Sequence, residues 1–314
     1  MSRVTLVLLL LLGLFSLTVA KVEMIQGENK IDVLIDGKMV TSYLYQPDLT
    51  KPVLFPVKTL AGVAINRGFP LQIVAGESKD HPHHFGIFFT YDKVNQEGFW
   101  GNTRIPPQIK LAKIEKVKSG KIGKIKAMHH WLAKTGKTLL EEKRTMLFSA
   151  GENYYTIDFA IKLTAKDTAV VFRDTKEGMF AIRVADWLAE KNGNAEYLSS
   201  NGERMEKEIW GKRAEWVRLQ GSYEGKKLGI VMINHPTSVN YPTFWHSRAY
   251  GLFSAGPLGQ EEFERERKVE QPKAFNLTLA KGESAWFKFR VVVYDGDMDK
   301  VTIDALAAEY KTKK

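Results

Sequence analysis

The stretch Tyr155-Thr156-Ile157-Asp158-Phe159-Ala160-Ile161-Lys162-Leu163 sets Tyr155, Ile157, Phe159, Ile161 and Leu163 on one side and Thr156, Asp158 and Lys162 on the other. Successive side chains of a strand point to opposite faces, so this period of two predicts a half-buried antiparallel strand. Working outward, further strands are expected at 169–172, 179–184, 228–233 and 286–294. Near the start, Ile31-Asp32-Val33-Leu34-Ile35 runs into Asp36-Gly37, a strong hairpin signal. Short strands separated by turn residues recur nearly to the end, which predicts an all-β, large antiparallel β-sandwich. Helix is expected clearly only at the C-terminus, where Asp299 caps a segment carrying Val301, Ile303, Leu306, Ala307 and Tyr310. A short second helix or a solvated loop fits Gln260 to Lys268. No Pro/Gly/Ser-rich connector divides the chain, so residues 21–314 read as a single β domain; two sandwich halves meeting near Lys166 are the alternative.

Residues 1–20 read differently. Arg3 precedes the apolar run Val4 to Leu12, and Thr18-Val19-Ala20 supplies small residues for cleavage, the pattern of a secretory signal peptide ending at Ala20. The apolar run is short of the roughly 20 residues a span requires. A periplasmic or secreted protein is expected, beginning at Lys21 and without a membrane span after cleavage. The chain has no cysteine, so stability must come from its core. It carries 46 Lys+Arg against 36 Asp+Glu, a net charge of +10, which favours anionic partners, acidic polysaccharides among them. The lysines are dispersed and no nucleic-acid motif accompanies them, so nucleic acid is not expected as a partner.

Chemistry is concentrated in four stretches. Asp80-His81-Pro82-His83-His84-Phe85-Gly86 holds three of the seven histidines, the side chain that titrates nearest neutrality. If extended, this segment sends His81 and His83 to one face and His84 to the other. Glu97 to Asn102 contains Phe99-Trp100-Gly101. Arg173-Asp174-Thr175-Lys176-Glu177-Gly178 is a charged turn. Asn234-His235-Pro236 leads through Trp245-His246-Ser247-Arg248 to Tyr250-Gly251. Such residues suit a polyhydroxylated ligand: aromatic faces cover sugar C–H surfaces, cations and carboxylates meet hydroxyls, and a His and a Glu exchange protons across the sugar. A metal centre is a second use of the same groups, with His81, His83, His84 and His246 joined by Asp80 or Glu177, although His-x-His without His-Glu-x-x-His is a weak motif. No cofactor is specified. His129-His130-Trp131, in a lysine-rich stretch, reads as surface or substrate edge. Gly136-Lys137-Thr138 is no phosphate loop, since Trp131 stands where that motif needs glycine. Gly-x-Gly-x-x-Gly and Gly-x-Ser-x-Gly are also missing, which argues against a nucleotide-dependent dehydrogenase or an α/β hydrolase.

On these stretches the chain resembles the PmoA-like family ("methane oxygenase PmoA"), a bacterial domain of unknown function. The matching pieces are Asp80 to Gly86, Phe99-Trp100-Gly101, Asp174 through Glu177-Gly178, and Tyr241-Pro242-Thr243 through Trp245-His246-Ser247-Arg248-Ala249-Tyr250-Gly251-Leu252-Phe253. The resemblance implies an exported β-sandwich similar in architecture to sugar-mutarotase-like supersandwiches. It does not imply methane oxidation, because a membrane subunit needs several spans and the mature chain offers none. Phe85 stands where the family pattern has arginine, so a cation beside the histidines is expected to be missing. Gly256-Pro257-Leu258-Gly259 looks like a variant of an Asn-Pro-Phe-Gly turn.

The expectation is therefore an exported carbohydrate-active enzyme acting on a glycan or sugar derivative, with lyase, hydrolase and epimerase chemistry all open. His84 and His246 are the acid/base candidates, Glu177 the partner base, and Arg248 the ligand of an anionic oxygen. His81, His83 and Tyr250 join in substrate binding, and Trp100 and Trp245 serve as sugar platforms. A non-catalytic glycan-binding module using the same cleft is the alternative from another class.

Overall fold

The computed structural model describes residues 20–101 and 105–313; the expected signal peptide lies, but for Ala20, outside the described residues. In chain order the strands are β1 (Val22–Gln26), β2 (Lys30–Ile35), β3 (Lys38–Leu44), β4 (Val53–Val57), β5 (Ile87–Tyr91), β6 (Gln108–Lys118), β7 (Gly123–Leu132), β8 (Thr138–Ala150), β9 (Tyr154–Ala165), β10 (Val170–Phe172), β11 (Gly178–Arg183), β12 (Ala195–Ser199), β13 (Trp216–Tyr223), β14 (Lys226–Asn234), β15 (Leu252–Ala255), β16 (Leu277–Leu279) and β17 (Ser284–Asp295). Three α-helices accompany them: α1 (Met205–Ile209), α2 (Gln260–Glu266) and α3 (Lys300–Lys311). A seven-stranded sheet runs β1-β2-β3-β4-β5-β11-β15, an eight-stranded sheet runs β12-β13-β14-β17-β9-β8-β7-β6, and β10 pairs with β16. The strands pair antiparallel throughout, as the alternating pattern requires.

The inner faces of the two large sheets share one core. Tyr155, Ile157, Phe159, Ile161 and Leu163 all point into it and are at most 2% exposed. Phe180 of β11 stacks on Phe289 of β17 with ring centroids 4.7 Å apart, and Phe89 of β5 meets Phe287 at 5.6 Å. Asp36 and Gly37 take φ of 48° and 76°, so both central residues of the β2–β3 hairpin are left-handed, as its two-residue turn demands.

Helix α3 covers the outer face of the eight-stranded sheet. Asp299 accepts from Thr302 N at 2.8 Å, capping the first turn. Ile303, Ala307 and Tyr310 bury against Trp216, Val231 and Val292. Val301, expected on this stripe, is 75% exposed instead. It stands two residues, about 200° of helix rotation, before Ile303 and so falls on the opposite side.

His129 and Trp131 also depart from expectation. They point between the sheets, fully buried, because the odd-numbered positions of β7 face inward while Lys124, Lys126 and His130 face out. Glu142 joins them there: its Oε2 accepts from Trp131 Nε1 at 2.9 Å and its Oε1 from Arg144 Nε at 2.7 Å. The Tyr43 hydroxyl lies 2.5 Å from His129 Nε2. This is an internal ion pair in which Arg144 Nη2 and His129 Nδ1 are left without hydrogen-bond partners among the described residues.

The outer face of the seven-stranded sheet carries the remaining chemistry. Phe88, Ala181 and Ser254 sit side by side on β5, β11 and β15, with Leu252 and Arg183 one pair further along. The segment from Lys58 to Gly86, between β4 and β5, and the segment from Asn234 to Gly251, before β15, supply the side chains that surround this face.

Candidate functional site

Asp80 to Gly86 forms a turn rather than the extended segment in which its histidines would alternate. His81 takes φ of 45°, Pro82 fixes the next residue, and His84 N donates to His81 O at 3.0 Å. The turn gathers all three imidazoles. His81 lies parallel to His84 with centroids 5.0 Å apart, and His83 meets the His84 ring edge-on at 4.1 Å. His84 is 2% exposed, packed against Trp100 and Phe88. Neither of its ring nitrogens has a hydrogen-bond partner. Burial, reinforced by the charges of its neighbours, drives its pKa far below neutrality, so the ring is uncharged.

His81 stands differently. It is exposed, and its Nδ1 lies 2.9 Å from Asp80 Oδ2. Asp80 Oδ1 is in turn gripped by Arg67 Nη1 at 2.6 Å and Arg183 Nη2 at 2.7 Å, both from fully buried side chains. Burial alone would raise the Asp80 carboxyl, but the His81 bond and the two guanidiniums outweigh it and bring the pKa down to about 2. An ionised carboxylate anchored by two buried cations therefore orients a solvent-facing imidazole.

Tyr250 connects this group to a second one. Its ring stacks on His81 at 5.1 Å and 6°, while the guanidinium carbons of Arg183 and Arg248 lie 4.8 Å and 5.7 Å from its centroid. Arg248 also sits 5.8 Å from the Trp210 ring, and Trp210 meets His246 edge-on at 6.1 Å. His246 is 3% exposed, and its Nδ1 lies 3.0 Å from the Lys176 carbonyl. A carbonyl only accepts, so Nδ1 carries the hydrogen and Nε2 is left as the basic nitrogen. Burial, opposed by that bond and helped by Arg248, lowers the His246 pKa to about 4. Glu177 is half-buried, and burial raises its carboxyl despite the nearby Lys176, with Glu262 and Asp92 adding to the rise.

A chain of contacts thus links His83, Trp100, His84 and His81 to Tyr250, and through Arg248 and Trp210 to His246, while Glu177 is near enough to feel the charge of Arg248. Among the described residues no ring contact or hydrogen bond joins His246 directly to the three histidines. Trp245 is excluded as a sugar platform: it is fully buried, packs at a tilt against Phe253 in the inner core and donates its Nε1–H to Ala214 O at 3.0 Å. Trp100, 5% exposed, backs His83 and His84 and offers no open face. Asp174 of the charged turn accepts from the amides of Glu261, Glu262 and Phe275, fixing the start of α2. Among the described residues no three His, Asp or Glu side chains converge as a metal would require, because the His81 and His84 rings stack face to face.

Sequence reasoning missed Lys51, Arg67 and Arg183. Lys51 Nζ lies 4.6 Å from the Phe85 ring centroid and donates to His83 O at 3.0 Å. A cation beside the histidines, expected to be missing, is therefore supplied from another segment and lies over Phe85. Burial lowers the Lys51 pKa to about 7. The one signal for Arg183 was a charge closing the apolar run of β11.

A family model matches residues 30–308, most of the chain. The chain belongs to DUF6807, a family of unknown function. Nothing links this DUF6807 chain to PmoA specifically, and no curated protein matches it. Among solved structures it is similar to a galactose mutarotase-like protein from Lactobacillus casei, at 10% identity over 87% of this chain and 100% of the other, with a TM-score of 0.37. A candidate aldose 1-epimerase from Klebsiella pneumoniae gives 10% identity, 94% and 88% coverage and a TM-score of 0.40. A β-arabinopyranosidase gives 11% identity and a TM-score of 0.33 over 88% of this chain, which spans only 38% of that enzyme. The side chains of this DUF6807 chain carry the chemistry. They present an oriented imidazole, a half-buried carboxyl, a neutral buried imidazole with one basic nitrogen, and two guanidiniums.

Proposed function

We propose that this protein is an exported carbohydrate-active enzyme working by acid–base chemistry on a glycan or sugar derivative. The observation that carries the reading is the Asp80–His81 pair, clamped by Arg67 and Arg183 and stacked on Tyr250. An exposed imidazole whose second nitrogen has no hydrogen-bond partner among the described residues, fixed by an ionised carboxylate, is built to move protons. His81 takes the acid/base role first assigned to His84, whose buried ring serves as a neutral contact. Glu177, with a carboxyl raised by burial, and His246, through Nε2, are the partners on the other side of Tyr250. Arg248 stabilises developing negative charge on oxygen. Lyase, hydrolase and epimerase chemistry each need such a donor–acceptor pair. The binding-module alternative is disfavoured by the burial of Trp245 and Trp100, since modules hold sugars on open aromatic faces.

The test is turnover of an oligosaccharide panel by purified protein, with and without chelator. Turnover lost in His81→Asn supports the reading, binding without turnover selects the module, and loss of turnover on chelation selects a metal-dependent enzyme. N-terminal sequencing of the exported protein checks the proposed periplasmic or secreted location, with Lys21 expected first.

A further inference from the structure

Two guanidiniums approach one phenol ring in this site. Arg183 and Arg248 have their central carbons 4.8 Å and 5.7 Å from the Tyr250 centroid. Arg183 is fully buried, and although Nη2 reaches Asp80 and Ser78, its Nη1 has no hydrogen-bond partner. A buried guanidinium N–H left unpaired is costly, and the cost is relieved when an acceptor arrives. Arg248 is about one-third exposed. Its Nε lies 2.7 Å from Glu206 Oε1, but off the N–H axis, so no hydrogen bond forms there. Its two terminal nitrogens make no hydrogen bond among the described residues. Tyr250 is half-buried, and its hydroxyl makes none either. His84, joined to Tyr250 only through the His81 ring, is 2% exposed and leaves both ring nitrogens without a hydrogen-bond partner among the described residues. Of the acidic neighbours, Glu206 pairs with Arg248 at Nε and accepts from Ala249 N, leaving the terminal nitrogens of Arg248 open; Asp80 reaches Arg183 only at Nη2, Asp186 is taken up by Ser78 N and Oγ, and Glu177 accepts no hydrogen bond among the described residues.

We propose that the site takes an anionic sugar, whose charged oxygens are received between Arg183 and Arg248 at the rim of Tyr250. The required chemistry is a carboxylate or a sulfate ester on the sugar, because either presents several acceptor oxygens to guanidinium donors. The inference rests on the acid–base reading above and names its substrate class.

The experiment measures binding by calorimetry for oligosaccharides of galacturonate, glucuronate and mannuronate. Each is paired with its carboxyl-reduced neutral counterpart, and sulfated oligogalactosides form a third arm. The expected result is binding of an acidic member at least about tenfold tighter than its neutral pair, weakening as salt is added. Arg248→Gln, at a position about one-third exposed, should remove that preference, and Arg183→Lys should reduce it. Thermal melting confirms that each variant is folded; if Arg183→Lys is not, Arg248→Gln carries the test alone. Preference for the sulfated arm supports the same anion site and assigns it to a sulfate ester. Equal binding of acidic and neutral members, or an unchanged preference in Arg248→Gln, overturns the anion site and leaves the carbohydrate reading standing. Failure of every glycan, charged or neutral, to bind overturns both.

Discussion

The imidazole of His81 lies parallel to the phenol of Tyr250, centroids 5.1 Å and planes 6° apart, while its Nδ1 faces Asp80 Oδ2 at 2.9 Å. Stacking fixes the ring plane and the carboxylate fixes its rotation. Its φ of 45° suits asparagine, which tolerates the left-handed region. His81→Asn should therefore fold normally, with a melting temperature near that of the parent. It should lose on the order of 10²–10⁴ in kcat on whichever oligosaccharide is turned over. Steady-state kinetics beside a thermal melt checks this, and unimpaired kcat would remove His81 from the chemistry.

Asp80 does a second job that His81 does not. It is the carboxylate held directly by both Arg67 and Arg183, each fully buried. Asp80→Asn leaves two buried cations short of a counter-charge. Because Asp80 itself reaches solvent, the cost should fall toward the low end of the roughly 3–5 kcal/mol seen when a buried pair is broken. Urea unfolding should show a lower midpoint with an unchanged slope. A variant as stable as the parent would show that Asp186 and water suffice.

The internal pair Glu142–Arg144 predicts how the sandwich responds to acid. Burial would raise the Glu142 carboxyl, but Arg144 and His129 outweigh it and lower the pKa to about 2 from its ordinary 4.5. A depressed carboxyl adds stability that is complete above the unfolded value and is lost as pH falls through the folded one. Stability should therefore drop between about pH 4.5 and pH 2. Glu142→Gln should cost roughly 3–5 kcal/mol at neutral pH, because Arg144 is left buried and unpaired. Its urea midpoint should also change less than the parent's across that acidic window. Parallel pH profiles would show that Glu142 does not govern acid unfolding.

The strands were legible because one residue in two of β9, β11, β14 and β17 had to be apolar for either sheet to have an inner face. The C-terminal helix was legible through Asp299 and the spacing of Ile303, Ala307 and Tyr310. Val301 misled because it is apolar yet lies off that stripe. His129 and Trp131 misled because the intervening lysines of β7 make the segment read as surface when only its alternate face is. For the site, the histidine turn and the segment from His246 to Tyr250 announced themselves by unusual composition. Arg67, Arg183 and Lys51 did not, since a single cation in an otherwise ordinary stretch reads as solvated until tertiary packing buries it. Trp245 sat among polar residues, and only its bridge to Ala255 at the end of β15 and its packing in the inner core reveal that it points inward.

Glu177 offers the last test, because its catalytic and structural roles predict opposite signs. Burial raises its carboxyl above the ordinary 4.5, with Lys176 and Arg248 only partly opposing and Glu262 and Asp92 adding to the rise. A raised carboxyl contributes stability that is fully present below the unfolded value and is lost as pH rises through the folded one. At neutral pH the ionised group therefore costs the fold something that a neutral amide does not. Glu177→Gln should melt higher than the parent at pH 7, and the difference should close as pH falls below about 4.5. Turnover should fall at every pH, since the amide cannot exchange a proton with substrate. Melting curves from pH 4 to pH 8 beside kinetics decide it. A variant that melts lower at pH 7 and keeps its activity would place Glu177 in a stabilising ion pair with Lys176 or Arg248, outside the chemistry.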